Sequence, residues 1–238
     1  MDRKYSVILG NLGNTCDRFC NGYKTNPPTM KMLKQAAGIP AVKGIELVGT
    51  WDIRPDNAVE MKRALNDFGL TCVSIIPDLF ADKTYWKGSF SSKEAKVRRK
   101  AIDYTRQMCD IAGALGCKLI NLWPGQDGYD YLLTADYERE REWECAAVHQ
   151  LAKEYRGLKF ALEYKPKEPR THSYLARMAD TLCSPRRAAV PMSACALIQA
   201  TLLLPARLLL NQSFLRNALV IFFSTCISTT TLHRGMTI

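Results

Sequence analysis

Five times between Tyr5 and Leu182, a short apolar run rich in β-branched side chains precedes a longer stretch with helical periodicity. That rhythm restricts the fold more than composition does. YSVILG (5–10) precedes a helical stretch around 29–38, and KGIELV (43–48) precedes DNAVEMKRALNDFG, in which Val59, Leu65 and Phe68 are expected on one face. TCVSII (71–76) precedes a helix expected from about Lys93 to Leu115, and KLINLW (118–123) one from Asp136 to Tyr155. LKFALE (158–163) precedes SYLARMADTL (173–182), read as a fifth helix. Runs this apolar suit burial on both faces, and strands separated by helices lie parallel, joined by right-handed crossovers. Two architectures satisfy this: an open doubly wound sheet and a (β/α)8 barrel. GNLGNT, after the first run, lacks the glycine spacing of a dinucleotide-binding turn, and no helix follows it at once.

What stands at the strand ends favours the barrel. Glu46 lies near the end of the second run, Trp123 at the end of the fourth and Glu163 at the end of the fifth. A barrel gathers residues from several strands on its C-terminal rim, where its chemistry sits. Each residue also has a plainer reading, the carboxylates as loop ion-pair partners and the indole as packing. The expected fold is a TIM barrel over residues 1–182, incomplete at about five βα units.

LEYKPKEPRTHSY (162–174) carries the most chemistry. Glu163 emerges from an apolar strand, and Lys165, two residues on, projects to the same side. Pro166 and Pro169 stiffen the exit by fixing φ. A carboxylate beside an ammonium suits a hard-cation site with an electrophilic helper: oxygen for the metal, positive charge for a developing alkoxide. A Glu–Lys ion pair capping the barrel would have the same spacing. The stretch closely resembles the metal-binding Glu-x-Lys-Pro-x-Glu-Pro segment of xylose isomerases, which also continues to a His where His172 stands. One unit earlier, NLWPGQDGYDYLLTADY (121–137) resembles their Trp-Gly-Gly-Arg-Glu-Gly-Tyr-Glu segment, followed likewise by Leu-Leu and an Asp.

Two motifs in order on successive strand ends are similar to the xylose isomerase-like barrel superfamily, which includes ketose 3-epimerases, inosose dehydratases and endonuclease IV. The resemblance implies that Glu163 is catalytic and ligates a divalent metal (Mn²⁺, Mg²⁺ or Co²⁺). It implies that Lys165 is catalytic, polarising the substrate carbonyl or hydroxyl, and that Trp123 walls a sugar pocket. Glu46, Glu168 and His172 are the remaining substrate-binding candidates. Departures at Pro124, Gln126 and Asp127 mean that xylose itself is not implied. The implied activity is that of a metal-dependent sugar isomerase or epimerase acting on a small-molecule sugar, with homo-oligomers possible among intact relatives. Alternatives are a metal-dependent sugar lyase, dehydratase or C-glycoside deglycosidase using the same cradle, and a non-catalytic fragment. An endonuclease IV-like phosphodiesterase would need a histidine-rich zinc cluster, and His149 and His172 are the only histidines up to Asp180.

After Asp180 the composition changes. All 23 acidic residues lie at or before this point, and the stretch from Thr181 to Ile238 carries five Arg with no counter-charge. In the family, later strands bring Asp-x-Gly-His, whose Asp binds the metal, then a His-x-His-x-Asn-Asp type run and a final Glu. None of these stands in the chain as written. Read back by one base, so that each new codon joins the last base of one residue to the first two of the next, ACALIQAT (194–201) permits Val-Cys-Ile-Asp-Thr-Gly-His. STCISTTT (224–231) likewise permits His-Met-His-Phe-Asn-Asp-Asn. Residues 183–238 are therefore read as an out-of-frame tail. The frame is lost between about Asp180 and Cys183, and 184–238 should pack poorly or form helices that build no site. Little or no isomerase activity is expected of this chain. The competing reading is a genuine basic, apolar tail that docks a partner or membrane.

The net charge of +10 divides accordingly: 28 Lys and Arg against 23 acids before the change, and five Arg after it. No run gathers these cations with aromatic side chains, so a nucleic-acid partner is not expected. LLLPARLLLNQSFLRNALVIFF (202–223) is broken by Pro205, Arg207, Asn211, Gln212 and Arg216, which argues against a membrane span. Nine cysteines without a CxxC pair argue against a disulfide framework or a zinc ribbon. With no signal peptide, a reducing cytoplasm is the expected location.

Overall fold

The computed structural model describes residues 4–13, 27–167, 169–177 and 180, together with the backbone of 195–199. Strands and helices alternate as the apolar runs require. β1 (Tyr5–Ile8) is followed by α1 (Thr29–Ala37), β2 (Val42–Val48), α2 (Ala58–Asp67), β3 (Thr71–Ile76) and α3 (Ala95–Leu115). Then come β4 (Leu119–Leu122), the short β5 (Gly128–Tyr129), α4 (Tyr137–Glu154), β6 (Lys159–Tyr164), β7 (His172–Ser173) and β8 (Cys195–Gln199). The main sheet runs β1-β2-β3-β4-β6-β8, and each neighbouring pair from β1 to β6 is parallel. Strands that follow one another round the sheet in chain order form the arc of a barrel. A doubly wound sheet would reverse its order at a switch point.

Period-two alternation divides the strand side chains between two layers. Ile45, Leu47, Ile75, Ile120, Leu122, Phe160 and Leu162 join the core shared with helix residues such as Leu33, Leu65, Met108 and Leu151. The opposite face carries Glu46, Ser74, Asn121 and Glu163. In α2 the buried stripe is Ala58, Met61, Ala64 and Leu65, and Val59 is 66% exposed. Val59 therefore leaves the face expected for it. The stripe is centred on the i, i+4 pair Met61 and Leu65, and a residue two before Met61 points away from it.

The fifth helix is also revised. Ser173 ends β7, which pairs antiparallel with β5, and Tyr174 and Leu175 turn inward. The Tyr174 hydroxyl donates to Glu140 Oε2 at 2.6 Å, and the Lys165 N–H donates to the Leu175 carbonyl. These bonds fix residues 172–175 as a return over the β6 exit loop, which overrides their helical pattern. The return runs close: a Cβ at Gly128 would lie 2.0 Å from the His172 carbonyl oxygen.

Two units divide the chain, Met1–Ile198 and Gln199–Ile238. Cys195–Gln199 is a strand beside β6 in the sheet order, not the helix or loose packing expected of the tail. Pairing with an open strand edge uses the main chain, so an apolar run takes it with little regard to side-chain identity. The rest of 183–238 lies outside the described residues.

Candidate functional site

The β4–β6 register aligns Asn121 with Ala161 and Leu122 with Leu162, so Trp123 and Glu163 come next at the two strand ends. Asn121, two residues before Trp123, donates from Nδ2 to Glu163 Oε2 at 3.1 Å. Its Oδ1 is buried and has no hydrogen-bond partner among the described residues. Burial holds the Glu163 carboxyl above its ordinary range, against the opposing Asn121 hydrogen bond; the Glu46 charge adds to the rise and the Lys165 ammonium works against it. Lys165 Nζ lies 5.1 Å from the Trp123 ring centroid. Carboxylate, amide oxygen, ammonium and indole thus converge where β4 and β6 end.

An aromatic wall continues from this point. Trp123 meets Phe80 edge-on with centroids 4.5 Å apart, and Phe80 meets Trp51 at 5.8 Å. Val48 and Ile76 pack beneath them, so the wall spans the exits of β2, β3 and β4. Two of the three departures from the xylose isomerase segment hold it in place. Gln126 Nε2 donates to the Phe80 carbonyl at 3.1 Å. The buried Asp127 carboxylate accepts from Ser89 N at 2.9 Å, from Ser91 N and Oγ at 2.6 Å, and from Ser89 Oγ. The loop after β3 is thereby clasped to the loop after β4.

The other sequence candidates lie apart from this group. Glu46 accepts from Ser6 Oγ at 2.8 Å and from Ser74 Oγ at 3.0 Å. Two hydroxyls from the flanking strands therefore occupy its carboxylate, and its influence on Glu163 is electrostatic. His172 is exposed in β7, its ring stacked on Tyr129 at 4.8 Å. Glu168 lies outside the described residues. Asn121, Phe80 and Trp51 were not singled out in sequence. For Asn121 a signal existed: an amide at the centre of the apolar run LINLW, in phase with Glu163 across the sheet.

The donor atoms gathered here are hard oxygens, Glu163 and the orphaned Asn121 Oδ1, and they suit a hard divalent cation in kind. Among the described residues, no group of three or more His, Cys, Asp and Glu side chains completes such a centre.

Residues 34–191 match the family described as xylose isomerase-like TIM barrel. The xylose isomerase of Thermus thermophilus is 30% identical over 125 residues, which cover 51% of this chain and 32% of that enzyme. The chain thus spans about a third of the length of the curated relatives it matches. Among solved structures, an AP endonuclease of family 2 from Brucella melitensis superposes with a TM-score of 0.62 at 15% identity, covering 90% of this chain and 76% of that one. D-psicose 3-epimerase with D-tagatose from Clostridium cellulolyticum superposes with a TM-score of 0.57 at 16% identity, covering 73% and 58%. With the parallel barrel arc, two rim motifs and a family match over most of its length, the chain belongs to the xylose isomerase-like TIM barrel family.

Proposed function

We propose that residues 1–182 are the first part of a cytoplasmic, metal-dependent sugar isomerase or epimerase, and that residues 183–238 are an out-of-frame tail that leaves this chain without turnover. The observation that carries the reading is the Asn121–Glu163 pair beside Lys165 and Trp123, on the strand ends where the two motifs fall. In this reading Glu163 is the first metal ligand, and Asn121 Oδ1 is the neutral oxygen next to it. A bound Mn²⁺, Mg²⁺ or Co²⁺ would hold sugar oxygens and stabilise negative charge as hydrogen moves between adjacent carbons. Lys165 supplies a fixed positive charge to the substrate oxygen on which charge develops. The Trp51–Phe80–Trp123 wall receives the apolar face of a sugar and excludes water from that side. The Ser89–Asp127–Ser91 clasp keeps the wall in register with the carboxylate.

The test restores the frame. A gene corrected by one base near codon 182 should encode Asp-x-Gly-His and His-x-His on the later strands, and its product should bind a divalent ion and interconvert aldoses or ketoses in an EDTA-sensitive manner. In that protein Glu163→Gln should lose metal binding by calorimetry, because a neutral amide is the weaker ligand for a hard cation. Lys165→Met should keep the metal and lower kcat by roughly 100-fold or more. Robust metal-dependent turnover by the chain as written would overturn the out-of-frame reading. Parent-like turnover by both variants would overturn the site.

A further inference from the structure

The turn that leaves β2 holds a strained residue at one end of the aromatic wall. Thr50 has a φ of 67°, in the left-handed region, and among the described residues it is the only non-glycine with a positive φ. A β-branched side chain is crowded there, so surrounding contacts must hold the conformation. Main-chain bonds close the turn. Gly49 N–H donates to the Ile76 carbonyl at 2.8 Å, Thr50 N–H to that of Ile53 at 3.2 Å, and Trp51 N–H to that of Gly49 at 2.7 Å. The Arg54 guanidinium donates to the Thr50 carbonyl at 3.2 Å. The Thr50 side chain finds its partner in α3, where the Tyr104 hydroxyl lies 2.9 Å from Oγ1 and shares a hydrogen bond with it. The Tyr104 ring packs against the main core, and a Cβ at Gly49 would displace its hydroxyl. Trp51 comes next in the chain, its ring edge-on to Phe80 at 5.8 Å.

We infer that Tyr104 is a positioning residue: its hydroxyl locks Thr50 in the left-handed turn and thereby aims Trp51 at Phe80, completing the wall. Without that bond, Thr50 relaxes toward negative φ, and the peptide that carries Trp51 rotates with it. Strain at Thr50 opposes the bond to Tyr104, so the balance between the held and relaxed turns is a fine one. The placing of Trp51 thus depends on how α3 packs beneath the turn. Its use in receiving a sugar rests on the function proposed above, whereas the hold on Trp51 does not.

The chain as written, carrying Trp86→Phe and Trp143→Phe, keeps Trp51 and Trp123 as its only indoles. In that background Tyr104→Phe removes the hydroxyl and leaves the ring in the core. Loss of one neutral hydrogen bond should shift the balance toward the relaxed turn by about fivefold. The shift should be read as red-shifted emission, greater quenching by acrylamide and a weaker near-ultraviolet dichroism. Thr50→Val keeps the branched Cβ without the hydroxyl, and should reproduce these changes; the two substitutions together should do no more than either. Thr50→Gly added to Tyr104→Phe should restore the parent signals, because glycine takes a positive φ without crowding. A core merely loosened by the loss of Tyr104 would not be rescued at Thr50. Parent-like signals in Tyr104→Phe, or failure of Thr50→Gly to restore them, would overturn the inference. If Tyr104→Phe does not fold, Thr50→Val decides it, and parent-like signals there would overturn it too. No sugar or metal enters the measurement, so its outcome is separate from that of the isomerase test.

Discussion

Asp127 and Asp52 show what burial does to a carboxylate in this chain. Asp127 is fully buried and compensated by four hydrogen bonds from Ser89 and Ser91. Replacing it with Asn turns one acceptor oxygen into a donor facing other donors. Asp127→Asn should therefore cost about 2–3 kcal/mol in urea denaturation. It should also loosen the Phe80–Trp123 contact, visible as a change in tryptophan emission. Asp52 accepts from the Val48 N–H at 2.9 Å, and burial raises its carboxyl from 3.8 to about 6. Between those values the folded chain binds more protons than the unfolded one. The resulting stability is complete at low pH and is lost as pH rises through about 6. Asp52→Asn keeps an acceptor for Val48 but cannot ionise. It should melt above the parent near pH 8 and close to it near pH 4, and an unchanged gap between the two pH values would sink this account.

Helix α4 begins where its sequence says it should. Asp136 accepts from the Arg139 N–H, and Glu140 Oε1 reaches back to the Asp136 N–H at 3.0 Å, so two orphan donors of the first turn are satisfied. Asp136→Ala should lower stability by about 1 kcal/mol, measured as a shift in denaturation midpoint with unchanged slope. The start of the fifth expected helix, at Ser173 and Tyr174, is drawn away for a reason equally local in appearance but tertiary in origin. SYLARMADTL has helical spacing, yet the bond from the Tyr174 hydroxyl to Glu140 and the pairing of Ser173 with Gly128 commit its start to the ribbon. Both partners belong to the preceding βα unit, with α4 and β6 in between or alongside, so no local pattern could have revealed the outcome.

Strands β1, β2, β3, β4 and β6 are joined edge to edge, and among the described residues β1 has a partner only on the β2 side. An arc with an open edge presents unpaired main-chain groups to other chains. The chain as written should therefore self-associate with rising concentration in sedimentation. A frame-corrected chain, able to close the barrel, should run as a discrete species and unfold with a steeper urea slope because more surface is buried. Equal slopes and equal association for the two chains would count against a closed barrel in the corrected one.

Sequence alone carried the strand–helix order, because a parallel strand buried on both faces and an amphipathic helix each leave a periodic mark within a short window. It also carried Glu163, Lys165 and Trp123, whose places at strand ends follow from counting along apolar runs. The strand-end residues already favoured the barrel over the doubly wound sheet, and the tertiary structure added the strand order in space, which is a relation between units. Only the tertiary structure paired Asn121 with Glu163, bound Glu46 to two serines and set His172 on Tyr129. Those outcomes depend on register across strands and on which buried polar atom finds a partner. Both are settled by packing among segments far apart along the chain, where period and propensity do not reach.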